Sequence, residues 1–385
     1  MGDIPFNKPH AVGTEFEYIR EAIDRRHLSM DGPFTRRCQE WLEERNRSAR
    51  AVLTHSATGA LEMIALLLDI QPGDEVIMPS FTFVSTASAF VLRGATPVFV
   101  DVREDTLNLD ETLVEDAITD RTRAIVAVHY AGVSCEMDEL GDVARRRGIE
   151  LVADAAQALG STYRGRPVPG LGSMSALSFH ETKNIIAGEG GALLANDPRF
   201  ADRAHVLRDK GTNRQAFFRG EVDKYTWIDL GSSFGPSEVV AAFLWAQLEA
   251  AAEIEADRLR TWERYNEAIK ELEADGLLRR PVVPEHCTHN AHMYYVLARD
   301  TDERAHLVEQ MNARDVNAVF HYVPLHSAPA GLRFGRAVGD LPVTTSASGR
   351  LIRLPLWAGI SAGDVERVVD TLAALLRQRR GVASA

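Results

Sequence analysis

Cysteine is scarce: Cys38, Cys135 and Cys287 are spread singly over 385 residues. Their odd number and wide spacing exclude a disulfide framework and any C-x-x-C redox or metal pair, and they point to a reducing compartment, the cytoplasm. Long apolar runs are missing too. Nothing approaches the ~18 residues of a membrane span, and Met1–Lys8 lacks the apolar core of a secretion signal. Basic residues form no blocks, and 43 Lys and Arg stand against 55 Asp and Glu for a formal charge of −12. A nucleic-acid partner is therefore not expected. An anionic substrate must be met by local donors, because the overall field repels it. No repeat or low-complexity tract appears. With 45% apolar and 25% charged residues, the chain has a globular composition and enough length for two domains.

What is present is alternation. From Ala51 to about Ala195, strands are expected at Ala51–Leu53, Glu75–Met78, Thr96–Val100, Arg123–Val128, Ile149–Ala153, Ala176–Phe179 and Gly191–Ala195. Amphipathic segments lie between them, among them Ala60–Leu68, Ser85–Leu92, Thr112–Ile118 and Met137–Arg146. Uniformly apolar strands alternating with helices predict an α/β fold with a mostly parallel, seven-stranded sheet covered on both faces. After Pro236 a helical stretch runs to Ala274 without Pro or Gly and is the expected connector. It joins a large domain with its N-terminal arm (1–250) to a smaller α+β domain (251–385). The latter reads as strand His292–Ala298, helix Glu303–Arg314, strand Ala318–His321 and helix Ala362–Arg377.

In such folds ligands sit beyond the carboxyl ends of the strands. After the first strand, Thr54-His55-Ser56-Ala57-Thr58-Gly59-Ala60 opens a helix with small residues, leaving backbone N–H groups free to cradle a phosphate. A plain helix cap by Ser56 or Thr58 explains the same residues. The second strand leads into Phe81-Thr82-Phe83, which brings aromatics to the edge of the site. Asp154 ends the fifth strand inside an apolar stretch, where a buried carboxylate needs a partner or caps a helix. Ser178-Phe179-His180-Glu181-Thr182-Lys183-Asn184 then puts a lysine directly after a buried strand, where desolvation favours the free amine as a nucleophile. Cradle, aromatic, Asp154 and Lys183 together match the needs of pyridoxal phosphate: anchor for the phosphate, cover for the ring, partner for the pyridine nitrogen and amine for the aldehyde.

On these residues, and on Gly32-Pro33-Phe34-Thr35-Arg36-Arg37-Cys38 and Phe320-His321-Tyr322-Val323-Pro324-Leu325-His326, the chain resembles the DegT/DnrJ/EryC1 sugar-nucleotide aminotransferases. The similarity runs from Ile4-Pro5-Phe6 through His326. It is nearest to transaminases of TDP-4-keto-6-deoxy-D-glucose of the enterobacterial-common-antigen type. The resemblance implies the aspartate-aminotransferase fold (fold type I of the pyridoxal-phosphate enzymes) and a homodimer with shared active sites. It implies L-glutamate as amino donor and a TDP-4-amino-4,6-dideoxyhexose of glucose or galactose configuration as product. Lys183 would hold the cofactor, Asp154 would face the ring nitrogen, Gln157 the 3-hydroxyl side, and Phe83 would stack. Ala57, Thr58 and Ser178 would hold the phosphate. Where the family usually carries an Asn that reaches the partner's cofactor phosphate, Ser233 stands, a shorter group without an amide. Lys210, Arg214 and Arg219 form a basic cluster suited to a pyrophosphate, and His321 and His326 lie in the loop that the family folds over the sugar nucleotide; each set also reads as ordinary surface. A 3-keto aminotransferase or a sugar dehydratase is the alternative within the fold, although the dehydratases replace the lysine by histidine. No cysteine has the Gly/Ser context of a desulfurase. A DNA-binding appendage, as in cofactor-binding regulators, is not expected ahead of residue 4.

Overall fold

The computed structural model describes residues 2–218 and 220–381. Its main sheet uses every strand expected between residues 50 and 195: β1 (Arg50–Thr54), β2 (Glu75–Pro79), β3 (Thr96–Val100), β4 (Thr122–Val128), β5 (Glu150–Asp154), β8 (Met174–Ser178) and β9 (Gly191–Ala195). Two short strands, β6 (Thr162–Tyr163) and β7 (Arg166–Pro167), join β10 (Cys287–Thr288) in a separate small sheet. The main sheet has eight strands, not seven, the eighth being β12 (Arg336–Ala337), in the order β1-β9-β8-β5-β4-β2-β3-β12. β9 is antiparallel to both neighbours, and the pairings from β8 across to β12 are parallel.

Successive residues of each strand feed opposite faces, as a period of two requires. Leu53, Ile77, Ile125 and Leu194 enter one apolar core, and Val52, Val76, Met78, Val126 and Leu193 enter the other. Both faces being covered explains why these strands read as continuous apolar runs. Helices α1 (Glu15–Asp24) and α2 (Pro33–Asn46) lie on one side, while α3 (Ala57–Leu67) and α4 (Val84–Val91) begin at the carboxyl ends of β1 and β2.

The additional strand β12 is only Arg336–Ala337, too short for a sequence pattern. An ion pair holds it to the sheet: Arg336 donates to the buried Glu75 at 2.8 Å, where Arg121 and Thr119 also donate. Burial would raise the Glu75 pKa, but these three donors outweigh it and hold the carboxyl at about 2. Its stabilisation is therefore complete above the ordinary carboxylate range and is lost as pH falls from about 4.5 toward 2. Glu75→Gln should flatten that limb of the stability–pH curve, measured by denaturant unfolding at stepped pH. A limb of unchanged slope would remove Glu75 from the account.

The helical stretch 236–274 is broken, not continuous. It forms Glu238–Glu249, Ala251–Ala268 and Lys270–Ala274. The joints at Ala250 and Ile269 have ψ near zero, so each locally relaxes the helix without any Pro or Gly to announce it. Beyond it, β11 (Tyr294–Leu297) pairs antiparallel with β13 (Leu351–Leu354), flanked by helices Thr301–Asn312 and Ala362–Arg380 around a third apolar core. The strand expected at Ala318–His321 is reduced to one bridge, Val319 to Arg353, after which the chain turns outward with Phe320 exposed. The three cysteines are buried as free thiols. Among the described residues no helix is long and apolar enough to cross a membrane.

Candidate active site

The carboxyl ends of β2, β5 and β8 and the start of α3 surround a cavity of about 580 Å³. Ser56 caps α3 by accepting from the Gly59 N–H at 3.0 Å. The first-turn amides of Ala57 and Thr58 have no intrahelical acceptor and stand at the positive end of the helix. Hydroxyls add to them: Thr58 and Ser85 bond each other at 2.7 Å, and Ser178 lies across at the end of β8. Gly191, paired with Ser178, makes this closeness possible. A Cβ there would lie 2.4 Å from the Ser56 carbonyl carbon. The cap and the cradle, rival readings of the sequence, coexist on adjacent residues.

Asp154 Oδ2 accepts from the Thr86 hydroxyl at 2.7 Å and Oδ1 from the Ala156 N–H at 3.2 Å. No ion pair to it occurs among the described residues. Burial raises its pKa above the ordinary range, with Thr86, Ala156 and Lys183 pulling the other way. A buried carboxyl short of a cation suits a protonated ring nitrogen. Lys183 leaves β8 in a loop closed by Glu181 N–H to Gly188 O (2.9 Å) and Lys183 N–H to His180 O (2.9 Å). Burial pushes its pKa down to about 8, against the pull of Asp154. Its neighbour Asn184 is clamped, donating to Asn290 O at 2.6 Å and bonding the His292 ring at 3.1 Å. Arg258, buried in the Ala251–Ala268 helix, fixes that partner segment by donating to Ala291 O and His292 O.

Phe83 is 58% exposed at the cavity wall, a bare aromatic face. Gln157 is held from both ends: its Oε1 accepts from the Ala131 N–H at 2.8 Å and its amide donates to the Tyr322 hydroxyl at 3.0 Å. His321 also lines the cavity, kept neutral by burial, which drives its pKa well below the usual value. Thus Ala57, Thr58, Phe83, Asp154, Gln157, Ser178, Lys183 and His321 share one cavity.

The other candidates lie outside it in this chain. Ser233 is exposed and forms a bridge to Asp209. Lys210 and Arg214 pair with Asp209 at 3.4 and 3.5 Å. Arg219 lies outside the described residues. His326 bonds Ser80 at 2.7 Å, pinning its loop to the end of β2. Sequence reasoning missed Thr86, His292, Tyr322 and Arg353, all at or beside the cavity. Arg353 left a signal, a lone charge inside the apolar run Leu351–Leu356.

Free amine, unpaired buried carboxyl, phosphate cradle and aromatic wall fit pyridoxal phosphate on a fold type I sheet, which defines a class: pyridoxal-phosphate-dependent aminotransferases. The DegT/DnrJ/EryC1/StrS aminotransferase family model matches residues 9–373, and the chain belongs to that family. It is 31% identical over 377 residues to the spore coat polysaccharide biosynthesis protein SpsC of Bacillus subtilis, covering 96% of each chain. DesV of S. venezuelae, solved with a ketimine intermediate, superposes with a TM-score of 0.88 at 31% identity, covering 98% of this chain and 99% of that one. Spr1654 of Streptococcus pneumoniae in its PLP form gives 0.89 at 25% identity, covering 99% and 100%. Pyridoxal phosphate is the cofactor.

Proposed function

We propose that the protein transfers the amino group of L-glutamate to the C4 ketone of TDP-4-keto-6-deoxy-D-glucose, yielding a TDP-4-amino-4,6-dideoxyhexose and 2-oxoglutarate. The observation that carries this reading is the meeting of Lys183, Asp154 and the open first turn of α3 in one cavity. When bound, the cofactor supplies a reactive carbonyl and an electron-withdrawing ring. Ala57, Thr58 and Ser178 bind its phosphate, Phe83 covers the ring, and Gln157 orients the 3-hydroxyl side. Asp154 holds a proton on the ring nitrogen. Lys183 Nζ, displaced as a free amine, takes the proton from the donor's α-carbon. In the second half it delivers a proton to C4 of the sugar. Burial already lowers the pKa of this amine to about 8 in the chain alone, so the neutral base is far more accessible near pH 7 than for an ordinary lysine.

Residues 1–250 form the cofactor-binding part in this reading, and 251–385 bring His292, His321 and Arg353 against it. The active unit is a homodimer. Support comes from an open apolar group, Phe218, Tyr225, Trp227 (76% exposed), Ile228 and Leu230, beside Arg214 and Ser233. On a partner chain, Lys210, Arg214, Arg219 and Ser233 would serve the neighbouring site, with His326 steadying the loop above the sugar.

The test is incubation with L-glutamate and TDP-4-keto-6-deoxy-D-glucose, following 2-oxoglutarate and taking the NMR couplings of the sugar. An amine at C4 is expected. A 3-amino or dehydrated sugar, or no 2-oxoglutarate, would overturn the reading. Sharing of sites is tested by mixing inactive Lys183→Ala chains with Arg214→Ala/Arg219→Ala chains. Partial recovery is expected, because a mixed dimer collects both defects in one site and leaves the other intact. Full inactivity at every ratio, with exchange verified, would place the loop in its own chain's site.

A further inference from the structure

Each carboxyl oxygen of Asp154 has a donor from the chain. Oδ1 takes the Ala156 N–H at 3.2 Å, and Oδ2 takes the Thr86 hydroxyl at 2.7 Å, the shorter bond and the one from a distant part of the sequence. Thr86 sits at the start of α4 and is wholly buried. A helical threonine ordinarily turns its hydroxyl back to a carbonyl of the preceding turn. This one reaches outward, from the helix after β2 to the end of β5, with β4 lying between those two strands. A second hydroxyl stands behind it: Thr82 Oγ1, buried at the cavity wall, is 2.9 Å from Thr86 Oγ1. An ionised carboxylate has no proton to give, so Thr86 donates to it, and the Thr86 oxygen then accepts from Thr82. The two threonines form a one-way chain of hydroxyls that ends on Asp154.

We propose that Thr86 is a positioning residue which, with Thr82 behind it, keeps Asp154 ionised and aimed so that the ring nitrogen of the cofactor stays protonated; this rests on the role given to Asp154 in the transamination reading above. Burial drives Asp154 toward its protonated form, and of the groups that oppose burial Thr86 acts most strongly, ahead of the Ala156 N–H and Lys183. A proton between a carboxyl and a pyridine nitrogen goes to whichever holds it better, so a donor that stabilises the carboxylate leaves the proton on the nitrogen. Bonds donated to a charged oxygen are of the strong kind. The start of α4 serves the site in two further ways, through Phe83 at the cavity wall and through Ser85, which bonds Thr58 in the phosphate cradle. The Thr86 bond therefore also fixes the register of this turn against β5. Bulk alone would not require a hydroxyl, because valine has the same shape.

The test uses protein loaded with pyridoxal phosphate isotopically labelled at the ring nitrogen, whose NMR shift reports protonation across a pH titration. In Thr86→Val the resonance should move toward that of a neutral pyridine, with a titration midpoint lower by about one unit or more. Thr86→Ser returns the hydroxyl and should return the wild-type midpoint. Thr86→Ala also removes the hydroxyl, favours the helix, and serves if the valine variant does not fold. Thr82→Val should move the midpoint the same way and less far. Single-turnover conversion by glutamate should slow about tenfold or more in Thr86→Val, with half-saturating glutamate unchanged. Asp154→Asn is the reference and should lose the ring proton. A wild-type midpoint in Thr86→Val or Thr86→Ala, with Asp154→Asn shifted, overturns the role of Thr86 alone. So does a serine variant that behaves like valine. An unmoved Thr82→Val midpoint overturns the part given to Thr82. A wild-type midpoint in Asp154→Asn overturns the reading of Asp154 and this inference together.

Discussion

Lys183→Ala is expected to give a folded protein without visible cofactor absorbance and with turnover lower by many orders of magnitude. Folding should survive because the amine makes no hydrogen bond or ion pair among the described residues, so its removal leaves no orphaned partner. Stability even separates its role from mere packing. The Lys183 pKa is about 8 in the folded chain against an ordinary value of 10.5. Between those values the unfolded chain binds more protons, so the cofactor-free wild type should gain stability as pH rises from about 8 toward 10.5. Lys183→Ala should lack that rise. Denaturant unfolding across this range reads it directly, and stopped assays with glutamate read the chemistry. Turnover retained within tenfold would sink the assignment.

Asp154→Asn should preserve shape and lose rate. The amide is isosteric: its oxygen can still accept from the Ala156 N–H while its NH2 donates to the Thr86 hydroxyl in place of the bond Oδ2 accepted, but it cannot hold a proton on a pyridine nitrogen. Each pKa unit by which the ring nitrogen becomes less basic is worth about 1.36 kcal/mol, a factor of ten. A fall of several units would slow proton abstraction by orders of magnitude. The measurement is single-turnover conversion by glutamate, with thermal unfolding alongside. A normal rate would leave Asp154 as no more than an acceptor for Thr86.

Much of this was legible in the sequence because the sheet's interior writes itself in a simple alphabet. Strands covered on both faces carry apolar residues without interruption, and the residue that breaks each run marks the carboxyl end where ligands gather. Asp154 and Lys183 were found in that way. What escaped depends on contacts across long separations. Thr86 looks like any helical threonine until β5 brings Asp154 to its hydroxyl, 68 positions away. His292 read as the start of a strand because nothing local shows that Asn184 meets it. β12 is two residues long and owes its place to the Arg336–Glu75 pair, a bond between side chains 261 positions apart. The breaks at Ala250 and Ile269 were invisible for the opposite reason: no local residue forbids the helix there.

The clamp on Asn184 also bears on how such enzymes can be recombined. The residue after the lysine is held by Asn290 and His292, and Arg258 bonds the carbonyls of Ala291 and His292 in that segment, so one alignment is written jointly by three stretches of chain. A chimera that joins the first half of this protein to the last third of a relative would bring two unmatched sets of jaws together. Crossovers that keep Asn184, Arg258 and the 290–292 segment from one parent should give active hybrids. Crossovers that split them should give well-folded proteins whose lysine is held out of line.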